Sequence, residues 1–409
     1  MQEWVQTPIG PEAGTWTTWP GERRVLAVVR TVADTQRLLD PLATLAPDPR
    51  VQVVFAIDPR SQFGAGVAAL LAGLGAVVVP WEQALHTRFD LALAASVGRD
   101  LDRVHAPVVL FAHGVGFNKY VPVAGAGERA VARGTYGLGR DGLVRGGRLV
   151  VSRLALAHPD EERRLAASCP EAVDAARIVG DAAADRVLAS LDLRDRCREQ
   201  LGLGGGDRLV VAASTWGRAS LVASRPTVLW RLAAEARREG CRVALLLHPN
   251  VRAAHGAWQV REWLRPWAEA GLVAVPAEAE WPSVLAAADA LVGDHGSTTV
   301  YGTLTGRPVS LATGGRHDVD PASPMGEALL TLPSVDEDSP VLGQILREVT
   351  AGEEQALASI ASRTTSHPRR FAHRVRPVLY ELLGLREPAS APAVRPLRPL
   401  GLDLPGGRA

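Results

Sequence analysis

Short apolar runs alternate with amphipathic stretches along most of the chain. In the first half, the apolar runs cover residues 25–30, 51–57, 76–79, 91–95 and 107–112, and helical spacing covers 34–45 and 66–74. Several runs are continuously apolar, which is typical of strands buried on both faces of a sheet. Strands that alternate with helices predict βαβ units and a parallel sheet.

The alternation of apolar runs and helical stretches continues in the second half of the chain. Residues 121–148, rich in Gly and Arg, predict a long basic loop, after which apolar runs resume at 148–152 and 177–179. Beyond the glycine cluster 202–206, the runs cover 209–213, 242–247, 272–275, 290–292 and 309–312, with helical stretches at 227–238, 259–270 and 281–288.

The two series predict an α/β protein with two tandem Rossmann-like, doubly wound domains that face a cleft. We predict an N-terminal acceptor-side domain over residues 1–180 and a C-terminal nucleotide-binding domain over 181–375. Residues 376–409 are predicted to form a C-terminal tail. Its part after about residue 385 is rich in Pro, Leu and Arg, which predicts an extended strap or a disordered segment.

Composition narrows the class of protein further. The 45 basic and 44 acidic residues nearly cancel, so we expect no nucleic-acid partner. Three widely separated cysteines form no CxxC pair, which favours neither a zinc site nor a disulfide framework and fits a reducing cytoplasm. The chain begins without a signal-peptide pattern and has no apolar run of the ~20 residues that span a bilayer.

Ligands of open parallel sheets bind beyond the carboxyl ends of the strands, so polar residues directly after apolar runs are the candidates for chemistry. His113 follows the fifth run, and Gly114 after it would allow a sharp backbone reversal. A histidine so placed can act as a general base, although a lone histidine is often only a structural hydrogen-bonding residue.

Two candidates follow strands of the second series. Ser214, Thr215, Trp216 and Arg218 follow its first run, and their hydroxyl and guanidinium groups suit phosphate; a plain polar loop fits equally well. His248 ends the next run, and Pro249 stops the strand there, so His248 could bind phosphate or take part in catalysis.

The turn after the run at 290–292 gives the most specific signal. Asp294, His295 and Gly296 precede Ser297, Thr298 and Thr299, which begin a predicted helix. Free amides and the positive end of a helix dipole bind anions, and the hydroxyls add donors, so we predict a diphosphate site. Simple capping of the helix by Ser297 or Thr298 is the alternative.

In this order, the motifs resemble those of the GT-B superfamily, and within it the CDP-glycerol glycerophosphotransferases that polymerise teichoic acid. The resemblance covers residues 110–310 and lies in 112–114, 213–216, 248–249, 294–298 and 306–308, with a weak counterpart of a further motif at 180–186. It implies that His113 is the base, that His248 contacts phosphate or assists catalysis, and that 297–299 hold the diphosphate. The last turn also resembles that of UDP-N-acetylglucosamine 2-epimerases.

These inferences favour a cytoplasmic transferase that moves a glycosyl or glycerophosphate group from a nucleotide diphosphate to the hydroxyl of a small-molecule or polymer acceptor. Arg218, His248 and the helix at Ser297 would neutralise charge on the departing phosphate. We expect no cofactor and no metal. An epimerase using Asp294 or Glu280 and a non-catalytic sugar-nucleotide-binding protein are the alternatives, and peripheral membrane contact stays open.

Overall fold

The computed structural model describes residues 3–19, 21–122, 133–313 and 318–398. It divides into two compact units. The first unit is formed by the described parts of Met1–His113, Val121–Ala182 and Arg370–Arg395. The second is formed by those of Gly114–Tyr120, Ala183–Arg369 and Pro396–Ala409.

The strands, in chain order, are β1 Arg23–Val29, β2 Val51–Ile57, β3 Val78–Val79, β4 Leu91–Ala94, β5 Val108–Phe111, β6 Tyr120–Pro122, β7 Arg133–Thr135, β8 Val144–Arg145, β9 Arg148–Leu149, β10 Arg153–Leu156, β11 Ala176–Ile178, β12 Arg208–Ser214, β13 Cys241–Leu247, β14 Leu272–Ala274, β15 Ala290–Gly293 and β16 Val309–Leu311.

The α-helices are α1 Ala13–Trp16, α2 Val32–Ala43, α3 Val67–Gly73, α4 Trp81–His86, α5 Arg140–Leu143, α6 Pro159–Ser168, α7 Ala182–Leu191, α8 Arg194–Gln200, α9 Leu221–Ser224, α10 Pro226–Arg238, α11 Pro249–His255, α12 Ala257–Glu269, α13 Trp281–Ala287, α14 Ser297–Gly302, α15 Pro324–Thr331, α16 Val341–Ile345, α17 Ala351–Ser362 and α18 Phe371–Leu383. In the part of the chain that the structure describes, none of them is long and apolar enough to cross a membrane.

A seven-stranded parallel sheet in the order β11-β10-β5-β4-β1-β2-β3 forms the centre of the first unit. Strands β4 and β5 are buried along their whole length, as continuously apolar runs require. The chain builds the sheet from β1 towards β3 and then returns to add β4 on the other side of β1. The gap between β1 and β4 is therefore a topological switch point, where open α/β sheets bind ligands.

A five-stranded parallel sheet in the order β14-β13-β12-β15-β16 forms the centre of the second unit. Strand β13 is buried throughout. The chain again builds outwards in one direction, from β12 to β14, and then adds β15 on the other side of β12. The second switch point lies between β12 and β15.

The predicted α/β class with two Rossmann-like sheets is confirmed, and the helical stretches of the second series match α10, α12 and α13 within three residues at each end. One strand prediction is wrong. Residues 148–152 do not enter the main sheet: Arg148–Leu149 pair with β8, and the sheet strand is Arg153–Leu156. Within the loop predicted over 121–148, residues 123–132 lie outside the described ranges, and the remainder contains β7, α5, β8 and β9.

The tail predicted from residue 376 begins too early, because Phe371–Leu383 form a helix of the first unit. Its apolar face packs into the core beneath the sheet, where Leu379 and Tyr380 are buried. The Tyr380 hydroxyl donates to Asp48 Oδ2 at 2.8 Å, and the Leu383 carbonyl accepts from Arg23 Nε at 2.6 Å. The described residues after 384 carry no helix or strand, and residues 399–409 of the predicted tail lie outside the described ranges.

Candidate functional site

Three polar side chains meet at the switch point of the first sheet. Asp34 lies in the first turn of α2, which follows β1, while Ser96 follows β4 and His113 follows β5. Because β5, β4 and β1 are neighbours in the sheet, their carboxyl ends bring the three residues together.

Asp34 is fully buried, and its Oδ1 accepts two hydrogen bonds. His113 Nδ1 donates at 2.6 Å and Ser96 Oγ donates at 2.6 Å. The backbone amide of Asp34 is held in turn by Thr31 Oγ1, the N-cap of α2. Burial acts to raise the pKa of Asp34, but the charge and hydrogen bond of His113, the hydrogen bond of Ser96 and the charge of Arg30 together outweigh it, and the pKa lies below its usual value. Asp34 is therefore ionised at neutral pH.

The carboxylate of Asp34 decides which nitrogen of His113 is available. An ionised carboxylate requires a proton on Nδ1, so neutral His113 presents Nε2 as a proton acceptor. The side chain is 28% exposed, and among the described residues Nε2 has no hydrogen-bond partner. The ring of Tyr136 stands edge-on to the imidazole, with centroids 6.2 Å apart. A histidine oriented by a buried carboxylate is the usual arrangement of a general base.

Sequence reasoning identified His113 but missed Asp34 and Ser96. The one local signal was the Thr31-x-x-Asp34 spacing directly after β1, which marks a helix start and says nothing of a histidine 79 residues away.

Gly114 serves a different purpose from the one predicted. Its backbone is extended, with φ −147° and ψ −177°, so no sharp reversal occurs there. A Cβ added at Gly114 would collide with the Ser297 Oγ of the second unit, to which Gly114 itself belongs. A glycine is therefore needed for close approach to Ser297. The left-handed residue of this segment is Gly116, with φ 67°.

Asp294 organises the switch point of the second sheet. Its Oδ2 accepts from the amides of Thr215 and Leu221, each at 2.8 Å, and its Oδ1 accepts from the amide of Gly296 at 3.0 Å. Burial raises the pKa of Asp294 to about 6, although the three amides and Lys119 favour the charged form. The contacts with Thr215 and Leu221 join the segment after β12 to the turn after β15.

The predicted residues after β12 divide into two groups. Ser214 and Thr215 are buried; the Ser214 hydroxyl accepts from the Val222 amide at 3.2 Å and is thus used within the loop. Trp216 is partly exposed, and Arg218 is exposed and leaves its guanidinium open to solvent. Of this group, only Trp216 and Arg218 have side chains exposed enough for a ligand to reach them.

The turn before α14 has some, but not all, of the features predicted for an anion site. Gly296 is the N-cap, so Ser297 and Thr298 occupy the first two positions of the helix, partly exposed, and their hydroxyls do not cap it. Among the described residues neither hydroxyl makes a hydrogen bond. Thr299 is different: its side chain is fully buried and its amide donates to the Gly296 carbonyl at 3.1 Å. The prediction that Thr299 contacts diphosphate is therefore withdrawn.

Two further histidines were predicted to line the site. His248 is the N-cap of α11, and its Nδ1 accepts from the Asn250 amide at 3.1 Å, which leaves a proton on Nε2 as a donor. His295 is buried beside Thr313, with Nδ1 and Oγ1 3.2 Å apart. Burial and the charge of Lys119 lower its pKa to about 4, so His295 is neutral at physiological pH.

Comparisons with known proteins bear on the fold. No protein-family model matches the chain, and no curated protein matches it in sequence. Among solved structures, the wall teichoic acid polymerase TagF matches with a TM-score of 0.59 and 11% identity over 89% of each chain. The UDP complex of MnaA from S. aureus matches with a TM-score of 0.53 and 9% identity over 90% of this chain and 99% of that one.

The chain has the GT-B fold. The resemblance expected from the motifs is thereby confirmed at the level of fold, since TagF is a wall teichoic acid polymerase, the kind of protein that the motif order had indicated. A variant of TagF soaked with CDPG matches with the same TM-score of 0.59 and 10% identity.

Proposed function

We propose that this chain is a transferase that moves a glycosyl or glycerophosphate group from a nucleotide-diphosphate donor to an acceptor hydroxyl. The observation that carries the proposal is the 2.6 Å hydrogen bond between Asp34 and His113, which leaves Nε2 of a partly exposed imidazole as the proton acceptor. In the proposed reaction, the first unit supplies the base and the acceptor side, and the second unit binds the donor.

The chemistry follows from the groups present. His113 Nε2 takes the proton of the acceptor hydroxyl while the acceptor oxygen bonds to the transferred group. The bond from that group to the nucleotide phosphate breaks, and the nucleotide leaves as a diphosphate after glycosyl transfer or as a monophosphate after glycerophosphate transfer. The buried charge of Asp34 stabilises the imidazolium that forms.

Donors of hydrogen bonds in the second unit support the phosphate part of the proposal. Ser297 and Thr298 at the start of α14 are partly exposed, Arg218 is exposed, and His248 Nδ1 accepts a hydrogen bond, which places the proton on Nε2. Such groups stabilise the charge that develops on a departing phosphate. The proposed reaction draws on no cofactor, and a cytoplasmic location accords with three free, buried cysteines.

The epimerase alternative needs a free acid/base carboxylate, and both carboxylates considered for it are already bound. Asp294 accepts three backbone hydrogen bonds, and Glu280 forms a buried ion pair with Arg186 at 2.5 Å. Neither has an oxygen positioned for a substrate proton. The transferase is therefore the better supported function.

A donor screen followed by a rate measurement tests the proposal. Thermal shifts with CDP, UDP, GDP, CDP-glycerol and nucleotide sugars identify the donor, since a ligand at ~100 times its Kd stabilises by about 2.7 kcal/mol. With that donor and glycerol-terminated or sugar acceptors, His113→Ala should lose ~10²–10⁴-fold in transfer rate while the donor Kd changes little.

His105→Ala is the matched control, because His105 is an exposed histidine of the same unit. It should retain the wild-type rate. Full activity of His113→Ala would refute the assignment of the base, and donor binding without turnover across all acceptors would favour a non-catalytic binding protein.

A further inference from the structure

Lys119 is the only lysine of the chain; arginine supplies every other residue of the 45 in the basic count. It belongs to the segment Gly114–Tyr120, which leaves β5 and is part of the second unit. Lysine differs from arginine in presenting a compact ammonium in place of a broad planar guanidinium.

The backbone around Lys119 is held firmly by the second unit. The Tyr120 amide donates to the Asp318 carbonyl at 2.9 Å, and the Asp320 amide donates to the Asn118 carbonyl at 2.8 Å. Lys119 is thereby paired antiparallel with Val319. The backbone from which its side chain extends is therefore held in place by two hydrogen bonds.

The ammonium lies at the switch point of the second sheet. Nζ is 3.4 Å from Thr215 Oγ1 and 5.1 Å from the centroid of the Trp216 ring, a cation–π contact. The compact ammonium fits against the hydroxyl and the ring face together, whereas a guanidinium is a broad planar fork.

The charge of Lys119 is incompletely balanced. Within the described ranges, no carboxylate oxygen lies within 4.0 Å of Nζ, and Asp294 already accepts three backbone hydrogen bonds. Burial lowers the pKa of Lys119, while the more distant charges of Asp294 and Asp318 act to raise it. A partly buried cation with no close counterion favours the binding of an anion.

We infer that Lys119 binds a phosphate oxygen of the nucleoside diphosphate in the second unit, next to Thr215 and Trp216. This inference rests on the proposed function and adds to it the main cation of the donor site. Its chemistry is that of a point charge: Lys119 donates N–H to a non-bridging oxygen and neutralises charge on the phosphate that leaves.

Calorimetric titration of the full chain with CDP, and with UDP in parallel, tests this role. Lys119→Met removes the charge and keeps most of the apolar stem, so the better-bound nucleotide should bind about 10- to 100-fold more weakly, the range for a lost charge-assisted hydrogen bond. Lys119→Arg should recover only part of this loss. Arg238→Met, an exposed charge change of the same sign on α10, is the matched control and should leave the Kd unchanged.

A second measurement separates binding from a purely structural role. Protein labelled with ¹³Cε-lysine has one lysine signal, which needs no assignment, and it should shift on titration with CDP. Lys119→Met with an unchanged Kd, or a signal that does not move as CDP saturates, would overturn the inference and leave the transferase proposal standing. If the wild-type chain binds none of CDP, UDP and GDP, both fall.

Discussion

Asp34 and His113, 79 residues apart in the chain, share a hydrogen bond of 2.6 Å between a fully buried carboxylate and a partly exposed imidazole. The carboxylate fixes the proton on Nδ1 and, in the proposed reaction, would stabilise the imidazolium that forms. Asp34→Asn removes the charge with little change in size, so we expect the transfer rate to fall about 100-fold or more, as in other carboxylate–histidine pairs. Initial rates at saturating donor would measure this loss.

Ser96→Ala is the companion to Asp34→Asn. It removes one hydrogen bond from the same carboxylate oxygen and leaves the charge in place, so the rate should fall less than about tenfold. If both variants lost the same factor in transfer rate, the charge of Asp34 would not account for its effect on the reaction.

Gly114 and Ser297 should show strong energetic coupling. Gly114→Ala places a methyl group against Ser297 Oγ, and overpacking of this kind costs about 1–3 kcal/mol of unfolding free energy. Ser297→Ala removes the colliding oxygen, after which the nearest Ser297 atom to the new methyl group is Cβ at 3.4 Å. Denaturant unfolding of both single variants and the double variant measures the coupling. Additive losses would contradict the contact.

Because of Glu161, we expect the first unit to be more stable in mild acid than at a pH above 7. Its Oε2 accepts from the Ala157 amide at 2.7 Å, Oε1 is buried without a hydrogen bond, and burial raises the pKa of Glu161 to about 7. Because the folded pKa exceeds the unfolded value of 4.5, the folded state binds more protons between pH 4.5 and 7. The contribution of Glu161 to stability is therefore complete below the unfolded pKa and is lost as the pH rises through 7.

Glu161→Gln keeps the acceptor for the Ala157 amide and cannot ionise. Relative to wild type, it should be close to neutral in stability near pH 4.5 and more stable by about 2–3 kcal/mol at pH 8. Thermal unfolding of both proteins across this pH range would measure the difference in stability. A difference that does not change with pH would contradict the raised pKa of Glu161.

The buried ion pair of Arg186 and Glu280 should contribute to folding stability and not to the proposed reaction. Arg186→Met leaves a buried carboxylate without its partner and should cost about 3–5 kcal/mol, whereas the double variant Arg186→Met/Glu280→Leu should recover most of that loss. The double variant should also keep its transfer rate, because Glu280 plays no part in the proposed reaction. A large loss of transfer rate in a folded double variant would show that the pair contributes to the reaction.

The strands could be predicted from the sequence wherever burial on both faces leaves a continuous apolar run. The apolar run at residues 51–57 matches strand β2 at both ends. The apolar run at 148–152 predicted a strand there. The strand that pairs within the sheet begins only after the run, at Arg153. Apolar content alone does not set the register of a strand against its neighbour.

The site could be predicted only where its residues are adjacent in the chain. The turn from Asp294 to Thr298 forms a local unit, and its place after a strand was visible in the sequence. The pairing of His113 with Asp34 depends on the strand order of the first sheet, which places β5, β4 and β1 side by side. Lys119 was visible as a unique residue, but its position beside Thr215 depends on the pairing with Val319.

The candidate residues of both sheets stand at or just after the carboxyl ends of strands whose central residues are apolar and buried. Exchange of a few loop residues could therefore change what each sheet binds without disturbing the packing that keeps each unit folded. A scaffold of this kind can diverge in chemistry while its framework is preserved, even when, as here, about one residue in nine still matches a protein of the same fold.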